Sequence, residues 1–214
     1  MRINIMGSAH PGWEGTPYYN GEVWAVNDTH ILRPVDLVVD IHVNRLNPVE
    51  EQPLFDKKHL ELLREKEIPA YFVSEIEGYP NIKKYPIEEI LKEFGSDYFG
   101  SGIDYIIALA IYKGATEIHI YGVYMVLEDE YSHQKPSLEY WIGFARGKGI
   151  SVEVHGDKTE LLLTRSGYMY GYQTLQAWRE KYPRKEMTLD QIIAERTFTL
   201  KEQTKKGERC GLIS

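Results

Sequence analysis

Short apolar, β-branched segments alternate with amphipathic segments along the first two-thirds of the chain, and this alternation limits the available folds most sharply. Arg2–Met6, Val23–Val26, Leu37–Ile41, Ala70–Val73, Glu117–Tyr121 and Ser151–Val154 read as strands. Between them Asp56–Lys66, Ile87–Phe94, Gly102–Tyr112 and Ser137–Lys148 repeat apolar residues at three-to-four spacing, as helices do. Strands that alternate with helices build βα units and a mostly parallel sheet covered on its faces, a Rossmann-like three-layer α/β fold. Gly102–Tyr112 reads GIDYIIALAIY, apolar almost all round, so it packs centrally against that sheet. Lys113-Gly114 and Lys148-Gly149 are helix stops, because glycine takes the left-handed cap conformation without strain. Pro136 sits where a proline suits a helix start.

Beyond Val154 the pattern changes. His155–Thr159 is polar, Glu160–Thr164 briefly apolar, and Gly167–Tyr172 reads GYMYGY. Tyr172–Tyr182 and Leu189–Lys205 look like two helices, which divides the chain into a nucleotide-binding-type domain, 1–164, and a helical extension, 165–214. The extension offers a surface for self-association into a homo-oligomer.

Composition excludes several classes. Among 214 residues, no apolar run reaches the length of a membrane span, and Met1–Gly7 lacks the apolar stretch of a signal peptide. A single cysteine, Cys210, allows neither a disulfide framework nor a cysteine-based zinc site. A cytoplasmic protein is expected. A net charge of −7, with lysines and arginines interspersed among acidic residues, argues against bulk nucleic acid or an anionic membrane as partner.

In an open parallel sheet, ligands bind beyond the carboxyl ends of the strands, at the switch in strand order. That rule selects five segments. Gly7-Ser8-Ala9-His10-Pro11-Gly12 follows the first strand, and its glycines, with Gly15, would let backbone approach a phosphate or ribose, or simply form a turn. It is neither GxGxxG nor a Walker loop. Asn27-Asp28 ends the second strand; Asn offers a donor and an acceptor to a base, and the pair also favours turns. Asp40 with His42 ends the third: the carboxylate could hold a ribose or a divalent cation such as Mg²⁺, or the two could pair with each other. Ser101-Gly102 opens the apolar helix, either as an anion site or as a plain N-cap. Last come Tyr121-Gly122-Val123-Tyr124 and the acidic stretch to His133, the single best general base by its ordinary pKa. Glu128–Glu130 is a metal candidate or a solvated acidic loop. No HExxH, CxxC or DFG occurs, so neither zinc chemistry nor nucleophilic hydrolysis finds support.

The glycine turn, VWAVND, VVDIH and GSGIDYIIALAIYKGATEIHIYGVYM together resemble two families. One is the bacterial sialyltransferases that use CMP-sialic acid. The other is the pyrophosphokinases typified by archaeal 6-hydroxymethyl-dihydropterin pyrophosphokinase. SHQKPSLEYWIGFARGKGISVEV is also similar to phage-encoded proteins with this core, which would place the chain in a host cytoplasm. The sialyltransferase resemblance implies a nucleotide-sugar ligand lined by Gly7, Ser8 and Asn27, with Ser101 and Gly102 at the phosphate or sugar carboxylate and His133 as base. Asp28, Tyr121, Gly122 and Tyr124 complete the expected nucleotide site. The pyrophosphokinase resemblance instead makes Asp40 a magnesium ligand. The expectation is a nucleotide-dependent transferase, with glycosyl transfer ahead of pyrophosphoryl transfer; the competing class is a non-catalytic nucleotide-binding protein.

Overall fold

β1 (Arg2–Met6) lies inside a seven-stranded sheet, third from one edge, in the computed structural model, which describes residues 1–9, 12–42, 53–125 and 130–156. Of these, 53–57 and 130–133 are described as helix backbone only. The other strands are β2 (Glu22–Val26), β3 (Leu37–Asp40), β4 (Ala70–Phe72), β5 (Ile82–Lys84), β6 (Glu117–Tyr121) and β7 (Ser151–His155). Their order is β5-β4-β3-β2-β1-β6-β7 and every pairing is parallel. From β1 the chain winds outward through β2 to β5, then returns to the other side of β1 for β6. The switch point lies between β1 and β6.

Alternation along the strands sorts side chains between two cores. Ile3, Ile5, Trp24, Val26, Val39, Ile118, Ile120 and Val152 face α2 (Ile87–Phe94), α3 (Gly102–Tyr112) and α4 (Glu130–Gly147). Val23, Ala25, Val38 and Phe72 face the other way, toward Leu63 of α1 (Pro53–Glu65) and Trp13. Helices on both faces make three layers, as the alternation predicts. Helix α3 is the pivot of the first core: Ile106, Ile107 and Leu109 are fully buried, and truncating any one to Ala should cost about 2–5 kcal/mol.

β5 and the start of α4 differ from the sequence reading. β5 escapes it because IKK is too short and too charged to look like a strand; it pairs only at the sheet edge, with both lysines exposed. Helix α4 begins at Glu130 rather than Ser137, so Pro136 lies inside it. A proline there removes one i→i−4 bond to the carbonyl of Ser132, and Ser137 Oγ lies 2.9 Å from Gln134 O in the same turn. The predicted glycine stops hold: Gly114 and Gly149 have φ of 80° and 82°. The helical extension 165–214 lies outside the described residues, and the described ones all fall within the unit Met1–Thr164.

Candidate functional site

The β1 loop and the β6 loop meet at the switch point. Gly7 N donates to Tyr121 O at 2.8 Å and Ala9 N to Gly122 O at 2.9 Å, so the strand pairing continues past both strand ends. Gly122 has φ of +64°, and a Cβ there would stand 2.8 Å from both Gly7 O and Trp13 N. A Cβ on Gly12 would collide with the Tyr124 hydroxyl and the Gly122 backbone. These glycines serve backbone-to-backbone contact, and the Gly7 and Ala9 amides are engaged by carbonyls. Ser8 is exposed beside them, and Tyr124 is half-buried. Tyr121 turns its ring to the other edge, stacking on His155 at 4.3 Å and 4°.

One strand over, Asn27 follows β2 with φ of +54°, a left-handed conformation that Asn tolerates better than most residues. Its amide donates to Val39 O at 3.0 Å, which fixes it opposite Asp40 in the register. Asn27 Oδ1 is buried and has no hydrogen-bond partner among the described residues. Asp28 is half-buried and begins a short turn, Thr29–Ile31, without capping it through its side chain. Gly102 is packed against this strand end, since a Cβ there would lie 2.8 Å from Val26 Cγ2 and 3.6 Å from Asn27 Oδ1.

The start of α3 carries its own anion. Gly100 N and Ser101 N donate to Asp104 Oδ2 at 2.7 and 2.9 Å, Ser137 Oγ to the same oxygen at 2.7 Å, and Ser101 Oγ to Oδ1 at 3.0 Å. Asp104 therefore closes half of a capping box and uses two of the amides expected for a phosphate. Burial pushes its carboxyl up from the ordinary aspartate range, against the pull of these donors.

At the end of β3 four side chains form a chain of polar contacts. His42 Nδ1 lies 2.7 Å from Asp40 Oδ1, His59 Nε2 of α1 3.1 Å from Asp40 Oδ2, and His59 Nδ1 2.6 Å from His30 Nε2. Asp40, His59 and His30 are buried, while the side chain of His42 is 52% exposed. A solvent-reaching imidazole held at Nδ1 by a buried carboxylate is built to accept a proton at Nε2. Of the two alternatives for Asp40 and His42, pairing is the one found. His59 and His30 have no ligand-bearing neighbour near them in sequence, and only the packing of α1 against the ends of β2 and β3 brings them to Asp40.

His133 is on the first turn of α4, and its side chain is outside the described residues, as are 126–129. Among the described residues a shallow groove lined by Phe94, Tyr112, Lys148 and Ile150 lies at the opposite, amino ends of β6 and β7, away from all these groups. No described helix is long and apolar enough to cross a membrane.

No protein-family model matches this chain. No curated protein matches it either. Solved structures with a similar fold include the sialyltransferase CstII from Campylobacter jejuni in complex with a substrate analogue, CMP-3FNeuAc. That pair has a TM-score of 0.49 and 15% identity, covering 72% of this chain and 79% of that one. Another is the sialyltransferase CST-II in complex with a trisaccharide acceptor and CMP, with a TM-score of 0.46, 13% identity, and coverage of 72% and 80%. The α/β class itself follows from the parallel sheet and its strand order.

Proposed function

We propose that this chain is a nucleotide-dependent transferase that moves a glycosyl group from a nucleotide-sugar donor to an acceptor hydroxyl. The observation that carries this reading is the Asp40–His42 pair at the carboxyl end of β3, one strand from Asn27, whose buried Oδ1 has no hydrogen-bond partner among the described residues. A parallel sheet with a switch in strand order takes its ligand on that side. The sequence resemblance to enzymes that use CMP-sialic acid supplies the group transferred.

In this reading Asn27 Oδ1 accepts a hydrogen bond from an amino or hydroxyl group of the nucleotide, which removes the cost of a buried orphan acceptor. The donor phosphate lies at the Gly102 end of α3, where the helix dipole favours negative charge, beside rather than on the Gly100 and Ser101 amides that Asp104 occupies. His42 Nε2 takes the acceptor hydroxyl proton as the new O–C bond forms at the sugar. The bond from that carbon to the phosphate oxygen breaks, and its electron pair leaves with the nucleotide. Asp40 orients the ring and stabilises the imidazolium.

The magnesium-dependent alternative needs Asp40 as a metal ligand. Its two oxygens instead face two imidazole nitrogens at 2.7 and 3.1 Å in a fully buried position. Magnesium keeps several waters in its shell and fits such an enclosure poorly. Titration of the full chain with CMP, UDP, GDP, ATP and their sugars, with and without Mg²⁺, tests the reading. Metal-independent binding of a sugar nucleotide or its nucleotide is expected; binding of ATP only with Mg²⁺ would turn the assignment to pyrophosphoryl transfer. His133, the base implied by the resemblance, is separated from His42 by assaying His42→Ala and His133→Ala side by side.

A further inference from the structure

The far edge of the sheet holds a second group of ligand-bearing side chains, independent of the proposed transferase site. Parallel register places His119 of β6 opposite Glu153 of β7, and Tyr121 opposite His155. Alternation turns Glu117, His119 and Tyr121 of β6, with Glu153 and His155 of β7, away from the face that packs α3 and α4. His119 Nδ1 lies 2.8 Å from His155 Nε2, and Glu153 Oε2 lies 3.7 Å from each of those two nitrogens. A point equidistant from the three atoms stands about 2.0 Å from each, the length of a zinc–imidazole or zinc–carboxylate bond.

We infer that His119, Glu153 and His155 bind one divalent transition-metal ion, zinc foremost, with a remaining position open to water or an outside ligand. Two imidazoles and one carboxylate suit zinc and its neighbours and discriminate against magnesium and calcium, which prefer oxygen. The surroundings are those of a metal site. His119 Nε2 faces Glu117 Oε2 at 3.7 Å, the outer carboxylate that typically orients a ligating histidine. The Tyr121 ring, stacked on His155 at 4.3 Å, fixes the second imidazole. Glu153 is 60% exposed, which gives the ion a way in. Arg2 of the neighbouring β1 lies 3.7 Å from Glu117, where it balances the second carboxylate. Motif searching misses this arrangement because its ligands come from two strands paired across a helix.

The test uses the untagged full chain, loaded with zinc chloride or cobalt chloride and then freed of excess metal. Wild type should retain one zinc more per chain than a Glu153→Gln/His155→Ala variant and should give the intense visible bands of low-coordinate cobalt, which the variant lacks. Glu117→Gln should bind zinc about tenfold more weakly. Both altered ligand positions are at least partly exposed; circular dichroism checks that the variant is folded, and His119→Asn with the same readouts provides a second case. Equal zinc content in wild type and folded variants would overturn the inference, as would magnesium binding as tightly as zinc.

Discussion

Two clusters of histidine and carboxylate occupy this sheet, and they differ in where the carboxylate sits. At the end of β3, Asp40 is at the buried centre and its imidazole partners lie on either side, one of them reaching solvent. On β6 and β7, Glu153 is at the exposed rim and the two imidazoles converge beside it. A central buried carboxylate fixes a ring tautomer and stabilises its cation, which is proton-transfer chemistry. Two ring nitrogens and a carboxylate oxygen within 3.7 Å of one another offer an ion three ligand atoms and serve coordination. The same residue types thus give two chemistries, decided by burial and direction.

The largest effect should separate the clusters by activity. On an identified donor and acceptor, His42→Ala should lower kcat by about 10²–10⁴-fold, the range for removing a general base. Asp40→Asn should lower it as well, with a shifted pH profile, because the ring loses its orienting anion. Glu153→Gln should leave kcat unchanged. Equal losses at both clusters would dissolve the distinction.

Stability should separate them next. Asp40→Ala leaves His59 buried without its carboxylate and should cost about 1–3 kcal/mol in urea unfolding, whereas metal-free Glu153→Gln, at an exposed rim, should stay within about 0.5 kcal/mol. Gly122→Ala probes the junction between the β1 and β6 loops. It combines a left-handed φ with two 2.8 Å backbone contacts, and a loss of about 1–3 kcal/mol is expected by the same measurement.

The smallest effect concerns alkaline pH and lies outside both clusters. Tyr85 is buried, its hydroxyl donating to Tyr105 O at 2.8 Å, and burial raises its pKa well above the ordinary 10.0. Above pH 10 the unfolded chain loses this proton while the folded chain keeps it. Stability contributed by Tyr85 is therefore present below pH 10 and falls as pH rises beyond it. Tyr85→Phe should flatten that alkaline slope in thermal melts.

Much of the framework was legible in the sequence. Arg2–Met6, Ile87–Phe94, Gly102–Tyr112 and Glu117–Tyr121 match their elements to the residue, because their apolar patterning is distinct and a glycine lies just past each carboxyl end. The strand-end rule likewise brought Asn27, Asp40 and Gly102 to one side of the sheet. Side-chain partnerships were less visible. The glycines of the first loop read as room for a phosphate, and their close neighbour proved to be Gly122, more than a hundred residues on. Ser101 read as a cap or an anion site, and Asp104, three residues away, takes its amide. His30 and His59 gave no signal, since a buried histidine is recognisable only by what it touches. The Glu153-x-His155 alternation was a signal available in β7, and register supplied its third member, His119.

Nucleotide binding at Asn27 tests the central claim most directly, because that site joins the β2 end, the Asp40–His42 pair and the start of α3. Calorimetric titration of the full chain with CMP and a CMP-sugar, without magnesium, should give binding to wild type. Asn27→Ala, which removes the buried acceptor, should bind at least about tenfold more weakly, the equivalent of one hydrogen bond. Failure of every nucleotide and sugar nucleotide to bind, or undiminished binding by Asn27→Ala, would contradict a nucleotide site at these strand ends.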